Sequence, residues 1–332
     1  MGLAARALFG ATCTLALAGC FYFKAAGGQL ELINSQVPVA EAAIREPDPA
    51  RRWMLTEVPK ILGFARDVLL LRPTGSYRGY VETEARGLTF VVTASEATRF
   101  EAHTWWFPVA GEVAYKSHFN EPDAQAEAAE LRARGLDVWV GPSRAYSTLG
   151  LFRDPVVTTM MRRGPIAFVE VLIHELAHAR LYVPGHTDFN EQLATFVGHK
   201  GTEMYFSAAR FAGTGSLAAV RAARREDTVR QDLIYAAIAA LEALYDRGLP
   251  RAQVLRQRAP ILSDLEQQLH ALSPDFPAAD FEMNNARLMQ YRRYGRDAPY
   301  LTQMWSDSGG NFRRFWQLVD AYAETLADQP PP

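Results

Sequence analysis

The sequence predicts a mostly helical α+β fold, in which a small sheet precedes a long helical half. Three observations support this fold class. Segments with the apolar alternation and β-branched content of strands lie between Leu88 and Val140. From Phe168 onward, apolar residues recur at helical spacing almost throughout. The chain has 332 residues, of which 48% are hydrophobic, so it can bury a proper core as a globular protein.

The first nineteen residues have the pattern of a targeting segment. Arg6 provides the positive region, and residues 7–16 form an apolar stretch that is too short to span a bilayer. The segment ends in Leu17-Ala18-Gly19-Cys20, which resembles a bacterial lipobox and implies cleavage before Cys20 and a lipid on its sulfur. Phe21 in the next position resembles lipoproteins of the outer membrane. An ordinary secretory peptide and an uncleaved anchor are the alternatives.

The expected location is the cell envelope, at the periplasmic face of the outer membrane. Of the two cysteines, Cys13 would leave with the signal and Cys20 would carry lipid, so no thiol would remain for a disulfide. Each buried methylene of the acyl chains contributes about 0.8 kcal/mol, which anchors the protein to the membrane. The chain has 35 basic and 37 acidic side chains, a net charge of −2, so no nucleic-acid partner is expected.

Residues 20–50 are predicted to form a lipidated tether that passes into a helical region interrupted by prolines. A single domain is expected over residues 51–328, and its first part, about 51–163, is mixed α/β. Helical spacing predicts a helix over 53–71. Strands are predicted at 88–93, 107–115 and 136–140, and an alanine- and glutamate-rich helix at 123–134, which ends at Gly135.

The helical part is predicted to cover residues from about 164 to 328. Its first helix starts at Gly164 and Pro165 and is stopped by Pro184-Gly185. Further helices are predicted at 217–247, 251–272, 281–294 and 312–326, and Gly248 caps the first of them.

The helix that starts at Gly164 carries the motif His174-Glu175-Leu176-Ala177-His178. Positions four apart lie one above the other on a helix, so both imidazoles can bind one metal ion while Glu175 faces a bound water. The surrounding residues are apolar and predict a largely buried helix. Buried segments rarely carry two histidines and a glutamate without partners, so the motif predicts a zinc hydrolase.

A catalytic zinc site needs three protein ligands and an open fourth position for water. The best third ligand is Glu191, because the Pro184-Gly185 turn can bring the next helix against the metal. Asp188 and His186 are near enough in sequence to bind instead. Glu191 has a structural alternative as well, since Asp188 and Glu191 have the spacing of a capping box.

These residues predict a hydrolytic reaction. With zinc held by His174, His178 and Glu191, the bound water would have a pKa near about 7, and Glu175 would take its proton and pass it to the leaving amine. The growing charge on the carbonyl oxygen needs a further donor. The candidates are Tyr294, Tyr291, Tyr205 and Arg287, with Tyr294 slightly preferred.

The phrase Asn190-Glu191-Gln192-Leu193-Ala194 resembles the third-ligand motif of the gluzincins, in the version found in zinc aminopeptidases. Residues 106–198 resemble a family of bacterial lipoproteins described as aminopeptidases, through residues 145–150, the metal motif and residues 181–185. Residues 284–288 also resemble that family. The resemblance implies a gluzincin-like metallopeptidase fold. It also implies an exposed strand, at 143–150 or 107–115, that pairs with the substrate. Asn190 and Thr195 are expected to orient the ligands.

The expected substrate is a peptide or protein, but the mode of cleavage stays open. The Gly-x-Met-Glu-Asn motif, with which well-known zinc aminopeptidases bind the free amine of a substrate, is absent. Residues 281–285 resemble it only superficially. An endopeptidase of envelope proteins is the alternative enzyme. A non-catalytic zinc-binding envelope scaffold is the alternative class, and Glu175 argues against it because a structural site needs no base.

Overall fold

Helices dominate the part of the chain that the computed structural model describes, which comprises residues 35–72, 75–84, 86–107, 111–143, 153–274, 282–294 and 298–327. The predicted signal peptide and Cys20 lie outside these residues, as does most of the predicted substrate-pairing segment 143–150. The mostly helical composition with small sheets agrees with the α+β prediction. No helix within the described ranges is both long and apolar enough to cross a bilayer.

The strands of the described part are short. They are β1 (Val37–Pro38), β2 (Gly79–Val81), β3 (Phe90–Ser95), β4 (Trp105–Phe107), β5 (Gly111–Val113), β6 (Lys116–His118), β7 (Asp137–Pro142) and β8 (Val156–Val157).

The helices account for most of the remaining described residues. They are α1 (Val39–Arg45), α2 (Pro49–Asp67), α3 (Glu121–Ala133), α4 (Thr158–Met161), α5 (Gly164–Arg180), α6 (Thr187–Ser207), α7 (Ser216–Tyr245), α8 (Arg251–Leu272), α9 (Asn285–Tyr294), α10 (Pro299–Asp307) and α11 (Phe312–Ala327). A 3₁₀ turn at Ala209–Phe211 follows α6.

The largest pairing in the mixed part is an antiparallel sheet with the strand order β6-β3-β7. Strand β3 pairs over its whole length with β7, from Phe90 opposite Pro142 to Ser95 opposite Asp137. Helix α3 covers this sheet, and its residues Ala128 and Leu131 share an apolar cluster with the strands. A second sheet has the order β1-β2-β8, in which β2 and β8 run parallel.

The predicted strand at 107–115 is wrong as a single element. Phe107 ends β4 and pairs with Gly111, which begins β5, so the chain turns back on itself within the predicted strand. The segment is apolar apart from Glu112, so its hydropathy does not mark a turn. Pro108 and Gly111 are turn-forming residue types, and they are the signals from which the turn could have been predicted.

The core of the fold is built around the antiparallel contact between α5 and α6. Residues Phe168, Leu172 and Ile173 of α5 are completely buried. Two glycines of α6 allow the close approach. A Cβ on Gly201 would lie 3.0 Å from a methyl group of Ile173, and one on Gly198 would lie 3.3 Å from the backbone oxygen of Glu170. Small residues at these two positions therefore set the distance between the helices that carry the site.

The predicted helices of the second half are confirmed with shifts at their ends. Helices α7 and α8 pack against each other around an apolar cluster that includes Ile234, Leu241 and Leu265. Helix α9 begins at Asn285 rather than at residue 281, and α10 is an additional helix that the sequence analysis did not predict.

Candidate metal centre

Helices α5 and α6 bring three potential metal ligands together: His174, His178 and Glu191. The two Nε2 atoms lie 3.1 Å apart, and Oε2 of Glu191 lies 3.4 Å from Nε2 of His174 and 3.3 Å from Nε2 of His178. This is the one group of three such ligands found within the described ranges. Ligand atoms around a tetrahedral ion with bonds of about 2.0–2.1 Å lie about 3.3 Å apart. The three side chains therefore already have the spacing that a zinc-sized ion requires.

The loop between the helices determines that Glu191 faces the histidines. Helix α5 ends at Arg180, and Gly185 takes a left-handed backbone (φ +81°) that suits glycine. The buried side chain of Asn190 holds this loop at both edges of its amide. Its Oδ1 accepts a hydrogen bond from the backbone N–H of Val183 (2.7 Å), and its Nδ2 donates one to the carbonyl of the same residue (2.8 Å). Asn190 thus fixes the start of α6, one position before Glu191, in line with its predicted orienting role.

The two rival ligands are not part of the group. His186 occupies the N-cap position of α6 and Asp188 lies in the first turn, but neither belongs to the cluster of ligand atoms. The capping-box alternative does not fit either. Helix α6 begins at Thr187, so Asp188 is inside the helix rather than at its N-cap.

The surroundings shift the pKa of each ionisable group in a different way. Burial raises the pKa of Glu191, but hydrogen bonds from His174 and His178 outweigh it and lower the pKa to about 2. Burial lowers the pKa of His178, yet the hydrogen bond to Glu191 and the charge of that carboxylate raise it above its usual value. Glu191 is therefore ionised at neutral pH and could offer a metal ion a negatively charged oxygen.

Glu175 behaves differently from Glu191, although both are acids close to the histidines. Burial raises the pKa of Glu175; the two histidines oppose this shift, while the negative charges of Glu191 and Asp154 add to it. A general base works best when its pKa approaches the operating pH. The environment of Glu175 shifts its pKa in that direction.

A second polar contact lies one helical turn before His174. Glu170 of α5 forms an ion pair with Arg224 of α7, and its Oε1 lies 3.7 Å from Nε2 of His199 on α6. Gly198 lies against both Glu170 and His174. This contact joins three helices directly beside the metal ligands, and the sequence analysis did not single it out.

The contacts described for three of the candidate transition-state donors, Tyr205, Arg287 and Tyr291, are with residues outside the metal group. Tyr205 is buried, and its hydroxyl donates to Oε2 of Glu57 (2.5 Å). It also lies about 21 Å along α6 from Glu191, at 1.5 Å per residue. Arg287 donates to the backbone carbonyl of Glu282. Tyr291 packs against the apolar cluster of α7 and α8, and the side chain of Tyr294 lies outside the described part.

Tyr182 is an aromatic residue near the metal group that the sequence analysis did not name as a candidate. It lies on the α5–α6 loop with 43% of its surface exposed. Burial and the negative charge of Glu191 raise the pKa of its hydroxyl, which indicates that the two side chains interact electrostatically. In the sequence, residues 181–185 attracted attention only through their resemblance to a family. Their position between the two helices that carry the candidate ligands could have identified Tyr182 as a residue near the metal group.

Comparison with known protein families agrees with this arrangement. A family model described as "Putative aminopeptidase" matches residues 20–330, which is nearly the whole chain. The chain belongs to this family. Membership of the family supports peptide hydrolysis as the activity. No curated protein and no solved structure matches the chain.

The family match covers the whole group of side chains that could hold a metal ion. The matched region contains all three ligand candidates and Glu175. It also begins at Cys20, the residue at which the lipobox resemblance implies that the mature chain starts.

Proposed function

We propose that the chain is a zinc-dependent peptidase of the bacterial cell envelope that acts as an aminopeptidase. The observation that carries the proposal is the set of three donor atoms 3.1–3.4 Å apart, with the half-buried Glu175 next to the first ligand in the chain. A peptidase family and a site of this chemistry together favour an enzyme over a structural protein.

The donor set fits zinc better than the hard cations. Two imidazoles and one carboxylate are typical of catalytic zinc sites, whereas magnesium and calcium prefer oxygen ligands alone. His174, His178 and Glu191 would hold the ion. When bound, zinc would supply a Lewis acid and lower the pKa of a coordinated water to about 7.

Glu175, Glu191 and Asn190 would have different roles in the reaction. Glu175 accepts one proton from the attacking water and delivers it to the nitrogen of the leaving amine, so the reaction consumes one water and leaves Glu175 as it began. Glu191 stays ionised because its pKa is about 2, and it contributes a negative charge to the ligand set. Asn190 keeps the α5–α6 loop closed, so that the ligands keep their relative positions.

The envelope location rests on the N-terminal sequence. Leu17-Ala18-Gly19-Cys20 resembles a lipobox, and the family match starts at Cys20. Acylation of that cysteine would tether the domain to the periplasmic face of the outer membrane, where peptides and envelope proteins are the accessible substrates.

The family description favours exopeptidase action over endopeptidase action. The two can be distinguished because an aminopeptidase requires a free N-terminus on its substrate and an endopeptidase does not. The test incubates the purified chain with a library of peptides in paired forms, one with a free N-terminus and one acetylated, each with and without a chelator. We expect cleavage of free N-termini that stops when the metal is removed. Cleavage of acetylated peptides would establish an endopeptidase instead, and absence of cleavage with stoichiometric metal bound would establish a scaffold.

A further inference from the structure

A cavity that is open to the surface lies where the C-terminal ends of α2 and α5 meet the first turns of α11. Its volume is about 410 Å³. Four arginines line the cavity, namely Arg66, Arg72, Arg180 and Arg313. The lining also includes one carboxylate, Asp320, and the aromatic ring of Trp316. None of these residues belongs to the metal group, so the cavity is a separate feature of the molecule.

The floor and one wall of the cavity are held in place by specific contacts. Trp316 is buried, and its indole N–H donates to the carbonyl of Leu69 (2.8 Å). The guanidinium of Arg180 lies over the Trp316 ring, 4.9 Å from its centroid, and donates to Oδ2 of Asp320 (2.8 Å). Leu70, also in the lining, has a left-handed backbone (φ +57°) that is uncommon for a residue with a side chain. Such conformations cluster at functional sites.

The charges around the cavity do not balance. Arg66 is paired with Asp67 through two hydrogen bonds, and Arg180 is paired with Asp320. Arg72 and Arg313 have no carboxylate partner within the described ranges, which leaves an excess of two positive charges.

The helix dipoles explain only part of this arrangement. Arg66 and Arg180 lie in the last turns of their helices, where a positive charge is favourable. Arg313 lies in the first turn of α11, where a positive charge is unfavourable, and that turn contains no acidic residue. A cation at this position is therefore not accounted for by the stability of its own helix.

We propose that this cavity binds a phosphate group, carried either by a soluble phosphorylated compound or by a lipid headgroup. Planar guanidinium groups match the geometry of phosphate oxygens and form charge-assisted hydrogen bonds with them. The cavity is larger than a bare phosphate ion, so an attached organic group can lie against Trp316 and Leu70. Arg180, pre-positioned by Asp320 and the indole, supplies the rigid side of the site.

The test measures binding of inorganic phosphate to the purified full-length chain by isothermal titration calorimetry. The test variant is Arg72→Gln/Arg313→Gln, and the matched control is Arg225→Gln/Arg256→Gln, which removes two exposed arginines elsewhere. Both pairs are on the surface, and thermal melts establish that the variants fold. We expect the test variant to bind phosphate about tenfold more weakly or worse, and the control to bind like the wild type.

Equal affinity of the wild type and the test variant, or no phosphate binding by the wild type, would overturn the proposal. A parallel titration with glycerophosphoglycerol, the water-soluble headgroup of an anionic phospholipid, separates the two sources. Tighter binding of this diester than of inorganic phosphate, lost in the test variant, assigns the site to a lipid headgroup. Tighter binding of inorganic phosphate, lost in the same variant, assigns it to a soluble phosphorylated compound.

Discussion

Glu175 and Glu191 are acids at the same helix contact, and their surroundings shift their pKa values in opposite directions. Glu191 accepts hydrogen bonds from two histidines, which lowers its pKa to about 2. Burial and the neighbouring carboxylates raise the pKa of Glu175. Two carboxylates with diverging pKa values are typical of sites in which one acid is always charged and the other exchanges protons. The two pKa shifts therefore differ in the direction that the proposed roles of ligand and base require.

The base assignment predicts that Glu175→Gln loses hydrolysis and keeps its metal. Glutamine preserves the size of the side chain but cannot accept a proton, and removing a general base typically costs a factor of about 10²–10⁴ in rate. The measurement combines peptide hydrolysis with elemental analysis of bound metal. Glu130→Gln, which changes an exposed acid of α3, is the control. Hydrolysis near the wild-type rate in Glu175→Gln would mean that another group is the base.

The ligand assignment predicts that Glu191→Ala loses zinc. Removing one of three protein ligands leaves two imidazoles, which are too few to hold a catalytic ion tightly. Elemental analysis after gel filtration measures the stoichiometry, and Asp188→Ala serves as the control because it removes a neighbouring acid that is not in the group. If the stoichiometry fell in Asp188→Ala and stayed unchanged in Glu191→Ala, the third ligand would have been assigned to the wrong residue.

The ligand candidates could be predicted from the sequence because helical spacing alone places His174 and His178 on one face. Glu191 was preferred from the sequence, but spacing alone could not exclude Asp188. The distinction depends on where α6 begins, and the hydrogen bonds between Asn190 and Val183 hold that part of the chain in place. Tyr205 illustrates the same limit, since its position in the chain does not reveal that it pairs with Glu57 in the core, far from the metal group.

At the scale of elements, the start of helix α2 depends on a capping residue more than on apolar spacing. Helix α2 begins at Pro49, four residues before the predicted start, because Oδ1 of Asp48 accepts a hydrogen bond from the backbone N–H of Arg51 (2.8 Å). The prolines that were interpreted as interruptions of a tether include the first residue of this helix. Proline is favourable there because its missing N–H would have no partner in any case.

Helix α3 is joined to strands β4 and β6 by a single carboxylate. Glu127 accepts hydrogen bonds from the indole of Trp105 (2.7 Å), the ammonium of Lys116 (3.1 Å) and Nε2 of His118 (2.5 Å). Burial raises the pKa of Glu127, but these hydrogen bonds outweigh it and lower the pKa from 4.5 to about 2. The carboxylate therefore stabilises the fold only while it is ionised.

A lowered acid pKa predicts a specific loss of stability on acidification. The contribution of Glu127 is fully present above pH 4.5 and disappears as the pH falls toward about 2. It amounts to about 2 kcal/mol after allowance for partial exposure. Urea unfolding at a series of pH values measures it as the difference between wild type and Glu127→Gln, which should be constant above pH 4.5 and shrink below. Glu130→Gln, on the exposed face of the same helix, should show no such window, and a difference that is independent of pH would contradict the assignment.

At the scale of the whole molecule, one buried polar joint connects the mixed part to the helical part. The side chain of Asn285 donates to the carbonyl of Glu96 (2.8 Å) and accepts from the hydroxyl of Tyr245 (2.8 Å). Arg258 binds both carboxylate oxygens of Asp137, at 2.7 and 2.8 Å. The run at residues 284–288, noticed for its resemblance to a family, thus contributes to the connection between the two parts. One of the partners of Asn285, Glu96, lies 189 residues away, and spacing along the chain does not reveal such a contact.

We propose that the molecule is held at a membrane through one atom, the sulfur of Cys20. The formal net charge is only −2, so electrostatic attraction to anionic lipids would not hold the chain at a surface. A lipid on Cys20 would supply the missing affinity, at about 0.8 kcal/mol for each buried methylene.

We therefore predict that Cys20→Ser abolishes metabolic labelling with a radioactive fatty acid and releases the protein from the membrane fraction. Cys13→Ser is a matched control, because this cysteine lies within the predicted signal and would be removed with it. Labelling that persists in Cys20→Ser would show that the anchor is attached elsewhere, whereas labelling lost in both variants would indicate a defect in export rather than in acylation.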